Sequence, residues 1–127
     1  TCSIYYKEHF CFDTLHNLST RPANEVGLGK VLFCDLEGNP NHGGLPLVEV
    51  WGLLFDQPNP GYFEFNPGGH FCVSKTHLHR RTNDFYKKIV HLLENGINPD
   101  GSDIALMPYC IERLENYIFN DKYNTFL

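Results

Sequence analysis

Five of the chain's ten Lys and Arg residues fall between Lys75 and Lys88, with Asp84 the single acid among them. Lys75, Arg80, Arg81, Lys87 and Lys88 therefore read as one basic patch able to surround a phosphate or carboxylate, Arg supplying bidentate geometry and Lys a point charge. His77 and His79 lie inside the same window. On a strand, residues two apart project from one face with Cα atoms about 6.5–7 Å apart, so both imidazoles can reach one metal ion. Such a pair is half a site, and His70, His91, Asp84 or Glu49 would have to complete it. Against both readings stands a solvated, salt-screened charged face. Cys72 close to His70 offers a thiol and a base, although sequence adjacency does not set their geometry. No Gly-x-Ser-x-Gly, Walker loop or His-Glu-x-x-His is present.

The elements expected to position these residues are mainly strands. Runs rich in β-branched and aromatic residues alternate with dense Gly, Pro, Asn and Asp from Lys30 to Phe65, as in consecutive strands joined by turns. The pattern predicts strands over Val26–Cys34, Leu47–Phe55, Tyr62–Phe65 and His70–His79, after an arm of residues 1–25. Leu47–Phe55 is apolar on both faces, which suits a central strand with its second face covered, and Glu49 interrupts one of those faces. One segment breaks the pattern. Phe85, Ile89, Leu92 and Leu93 recur at helical spacing, an Asx residue precedes them and Gly96 follows, which predicts a helix over Asp84–Asn95. For Ile104–Asn120 helix and strand are evenly balanced. Tyr5, Tyr6, Trp51, Tyr62, Phe63 and Phe65 are either ordinary core or the lining of a small apolar pocket.

A chain of 127 residues that is 42% hydrophobic and 14% aromatic accounts for one domain, 1–127, with a real core. No apolar run approaches the roughly 18–20 residues that span a bilayer, so no transmembrane segment is expected. The net charge of −5 argues against a protein that coats nucleic acid. Five cysteines and the sequon Asn17-Leu18-Ser19 favour an oxidising, secreted setting with Asn17 glycosylated, and a start at Thr1 fits removal of a leader. Cys2 and Cys11 could tie down the arm and Cys34 and Cys72 could staple two sheets. Cys110 is then left free or available for an intermolecular bond that would make a homodimer.

Gly29-Lys30-Val31-Leu32-Phe33-Cys34, Gly38-Asn39-Pro40, Val48-Glu49-Val50-Trp51 and Gly61-Tyr62-Phe63-Glu64-Phe65 together resemble the nematode transthyretin-like family of small secreted proteins. Tyr86-Lys87-Lys88-Ile89-Val90-His91 is similar to that family's lysine-isoleucine-aromatic-histidine strand, and Asn116-Tyr117-Ile118 to its tail. The long arm before Val26 and the lack of a Cys directly after His91 depart from the family. The resemblance implies a transthyretin-like, prealbumin-type antiparallel β-sandwich and a binding role, one member having been linked to bridging phosphatidylserine to a receptor. It also turns Phe85–Leu93 into a strand, against the helix that periodicity predicts. The His77-Leu78-His79 pair resembles the non-haem iron pair of intradiol dioxygenases, whose two ligating tyrosines this short chain does not supply. The expectation is thus a mainly β, secreted, noncatalytic binding protein without a cofactor, whose basic patch recognises an anionic ligand such as a phosphatidylserine headgroup and bridges it to a receptor. The alternatives are a small iron enzyme using His77 and His79, and a host-directed interaction module that uses the aromatic arm.

Overall fold

The computed structural model describes residues 32–37, 43–65, 73–119 and 122–126. Within them the regular elements are β1 (Leu32–Cys34), α1 (Leu47–Leu54), β2 (Phe63–Phe65), α2 (Lys75–His79), α3 (Asn83–Asn95), a 3-10 turn (Ile104–Leu106) and α4 (Met107–Ile118). Helix predominates, and this overturns the β-sandwich. Among the described residues regular strand is confined to two three-residue pieces, paired antiparallel with Leu32 opposite Phe65, Phe33 opposite Glu64 and Cys34 opposite Phe63. They fall within two of the four expected strands, Val26–Cys34 and Tyr62–Phe65. Residues 26–31 and 70–72 lie outside the described residues.

The largest correction is at Leu47–Leu54. Leu47, Val50, Trp51 and Leu54 are buried, and their spacing of i, i+3, i+4 and i+7 is a helical stripe. The run contains enough apolar residues to satisfy a two-residue period as well, so periodicity alone could not decide. Burial of one stripe against α3 and the aromatic core outweighs the modest β-preference of Val and Trp. Trp51 Nε1 donates to the Gln57 carbonyl at 2.7 Å, anchoring the turn that follows.

Lys75–His79, expected as the end of a strand, is a short helix. Ser74 caps it, its hydroxyl accepting from the His77 amide at 3.1 Å. The helix expected over Asp84–Asn95 is present as Asn83–Asn95, capped by Thr82 and burying Phe85, Ile89 and Leu92. That arrangement excludes the strand implied there by the transthyretin-like resemblance. Gly96 ends α3 at φ 69°, where its lack of a side chain leaves room for the buried Asp103 carboxylate. Asp103 accepts from the Ile97 and Asn98 amides at 2.8 and 3.2 Å. Pro108 sits in the first turn of α4, where its missing donor does no harm.

β2 packs on α4, and the core gathers where they meet α1. Trp51 stacks on Phe55 with centroids 4.1 Å apart and meets Phe63 at 5.8 Å and Tyr117 at 5.6 Å. No helix among the described residues is long and apolar enough to cross a membrane.

Candidate functional site

The basic window folds as α2, a turn and the first half of α3, and this splits its five cations by direction. Arg81 faces inward. Its Nε and Nη2 donate to the carbonyls of Ile118 and Tyr117 at 2.7 and 3.0 Å, and Nη1 to the Tyr123 carbonyl at 2.7 Å. The last carbonyls of α4 have no partner within the helix and carry its negative dipole end, so Arg81 acts there as a C-cap. Lys88 does the same for α1, donating to the Leu53 carbonyl at 3.1 Å with its ammonium 5.6 Å from the Phe126 ring centroid. Lys75, Arg80 and Lys87 are exposed. Three of the five cations therefore face solvent, while two close helix ends.

The helix also separates the two histidines. Positions i and i+2 lie about 200° apart around an α-helix, so the strand geometry that would aim both rings at one ion is absent. His77 Nδ1 pairs with the Ser74 hydroxyl at 2.7 Å. His91, offered as a third ligand, pairs through its own ring with Asn95 at 3.1 Å. Asp84 and Glu49 are exposed on α3 and α1. Among the described residues no group of three or more His, Cys, Asp or Glu could hold a metal ion.

An open groove of about 480 Å³ lies where α2 meets α3, lined by Leu78, His79, Arg81, Asn83 and Tyr86. Ser74 and Thr82 fix its two walls by capping their helices. Tyr86 ties the walls together, its hydroxyl donating to the Leu78 carbonyl at 2.6 Å. Burial raises the Tyr86 pKa, partly offset by the nearby Arg81 charge, so the phenol stays a neutral donor. The groove thus combines a guanidinium held in place by three carbonyls, an exposed imidazole and an amide side chain. Such a set suits a small anion or polar headgroup. Tyr86 and Asn83 were not singled out from sequence; Tyr86 had a signal, being a polar-tipped aromatic directly before the two lysines.

The remaining candidates fall elsewhere. Cys34 is a buried free thiol rather than a staple, and among the described residues there is no second sheet for it to join. Cys110 is likewise a buried free thiol, facing the core from α4. Cys2, Cys11, Cys72, His70, Asn17, Tyr5 and Tyr6 lie outside the described residues. Burial raises the Cys34 pKa, partly offset by a hydrogen bond from Arg113, and burial pushes the Cys110 thiol up to about 12. Neither is a ready nucleophile. Of the aromatic pocket candidates, Trp51, Phe63 and Phe65 are core and Tyr62 is 66% exposed.

Arg113, which sequence reasoning passed over, is the most deeply buried cation among the described residues, 1% exposed. Its guanidinium carbon lies 4.5 Å from the Phe65 ring centroid and Nη1 donates to Glu112 at 2.8 Å. Its place on the apolar stripe of Met107, Cys110, Leu114 and Tyr117 was the available sign that it would be enclosed. No family model, curated protein or solved structure matches the chain. The function is therefore read from the side chains.

Proposed function

We propose that the chain is a noncatalytic binding module for an anionic ligand, taken at the corner where α2 meets α3. The observation that supports this is the groove walled by His79 and Arg81, with the exposed Lys75 on the same short helix as His79 and the exposed Arg80 between those two wall residues in sequence. The magnitudes narrow the proposal. Each cation near an anionic surface contributes about 1 kcal/mol, so three exposed ones supply roughly 3 kcal/mol, against about 8 kcal/mol for micromolar affinity. Most of the affinity has to come from contacts inside the groove. A secreted location belongs to the same proposal and rests on the sequon and the cysteine content; a receptor bridged by the bound ligand would be engaged from another face.

The test is sedimentation with vesicles of phosphatidylcholine alone or with phosphatidylserine, over a salt series, with inorganic phosphate as soluble competitor. Binding to the anionic vesicles should weaken steadily with salt. The triple variant Lys75→Ala/Arg80→Ala/Lys87→Ala, made only at exposed positions, should lose most of it, and His79→Ala should weaken competition by phosphate. Binding that ignores both salt and the triple variant would refute the proposal.

A further inference from the structure

Residues 122–126 cross the end of α1 as a strap, a turn at Lys122 and a bend at Tyr123 leading into a bridge at Thr125, and the contacts resemble those of a bound peptide. The Asp56 amide donates to the Asn124 carbonyl at 2.8 Å and the Phe126 amide to the Leu54 carbonyl at 3.1 Å, flanking an antiparallel bridge between Phe55 and Thr125. Gln57 Oε1 accepts from the Asn124 amide at 2.7 Å and Arg81 donates to the Tyr123 carbonyl at 2.7 Å. The Tyr123 ring sits edge-on to Trp51 at 5.6 Å and to Tyr117 at 5.0 Å. Phe126 is 40% exposed and lies under the Lys88 ammonium.

The rings that wall the slot also pack on one another. Trp51, Phe55, Phe63 and Tyr117 are in contact with one another at 4.1 to 5.8 Å and come from α1, its following turn, β2 and α4. Strand addition of this kind reads any extended backbone through its main-chain groups and takes specificity from the side-chain pockets. Here one pocket takes an aromatic ring edge-on, and a second position, three residues on, takes an aromatic ring under a cation.

We propose that this slot is a recognition site for an extended peptide carrying an aromatic-x-x-aromatic sequence, and that residues 122–126 fill it as a displaceable intramolecular ligand. The strap is attached by two backbone-to-backbone hydrogen bonds, the Gln57 and Arg81 side-chain bonds and one partly buried ring. None of its residues is fully buried, whereas α1, α3 and α4 each bury several side chains, so it opens locally rather than with the whole fold. This inference does not depend on the anionic-ligand reading.

The test uses the full chain and a fluorescent pentapeptide with the sequence of residues 122–126. Against the wild type the peptide competes with an intramolecular strap whose effective concentration is of order millimolar, so it should bind weakly. Tyr123→Ala, which loosens the strap, should tighten peptide binding about tenfold, while a peptide with its Tyr replaced by Ala should not bind. Hydrogen exchange on the wild type supplies an independent reading, with the Asp56 and Phe126 amides expected to exchange about 100-fold faster than the core amides of α4. Equal protection of these amides would overturn the proposal, as would peptide binding unchanged by Tyr123→Ala. A concentration-dependent dimer with exchanged straps and no peptide binding would overturn it in favour of self-exchange.

Discussion

Three nitrogen-to-carbonyl bonds hold Arg81 against the end of α4 and Tyr123, at 2.7, 2.7 and 3.0 Å. Charge-assisted bonds to half-buried carbonyls outweigh exposed ion pairs, so Arg81→Ala should destabilise the fold by about 2–4 kcal/mol, with Arg81→Lys recovering only part because an ammonium cannot span three acceptors. Chemical denaturation of the three proteins measures this, and loss of less than half a kilocalorie would show that the cap is dispensable. Glu115 makes a different residue-scale prediction. Burial first, and then the charge of Glu112, push its pKa up to about 8. An acid raised in the folded state binds its proton more tightly there, so stability falls as pH climbs from the ordinary carboxylate range to about 8. Glu115→Gln should therefore be more stable than wild type by about 1–3 kcal/mol at about pH 8 and equal to it at about pH 4. A pH-independent difference in midpoint would contradict that environment.

Helix α1 is where element-scale argument matters most, since the same eight residues satisfy a strand pattern. Gly52 lies on its exposed face with open space around the position a Cβ would take. In a helix Ala is favoured over Gly by about 0.8–1 kcal/mol, so Gly52→Ala should raise the melting temperature. Gly96→Ala should do the opposite, because at φ 69° a Cβ would run into the Asp103 carboxylate that holds the Ile97 and Asn98 amides. A loss of roughly 1–3 kcal/mol is expected, with thermal unfolding as the readout. Legibility followed the same line between elements. In the α3 segment Lys87, Lys88, His91 and Glu94 separate the apolar positions, with Val90 the one exposed apolar exception, so a helical period fits better than a two-residue one. In Leu47–Leu54 the intervening Val48 and Leu53 are apolar but exposed, 43% and 40%, which hid the period. The basic residues were legible as a cluster, whereas their directions were not, since a helix turns successive side chains by about 100° and a strand by 180°.

At the scale of the whole molecule, Cys34 and Cys110 are both 0% exposed within one core. Their thiols should react with a soluble disulfide reagent only when the fold opens globally, so peptide mapping after brief labelling should find both unmodified in native protein and both modified in denaturant. Fast labelling of either with the fold intact would place it outside the core.

The amino-acid sequence on its own established that this chain has enough apolar and aromatic residues for a core, that α3 is an amphipathic helix with a Gly end, and that half of its cations are concentrated in one window. These are local or summed properties, set by residue type and spacing along the chain. Tertiary structure alone decided that Leu47–Leu54 is a helix, that His77 and His79 diverge, and that Arg81 and Lys88 close helix ends while Lys75, Arg80 and Lys87 meet solvent. The reason is that each of those outcomes depends on which distant carbonyl, ring or apolar stripe lies opposite, and such long-range burial and hydrogen bonding carry more free energy than local preference.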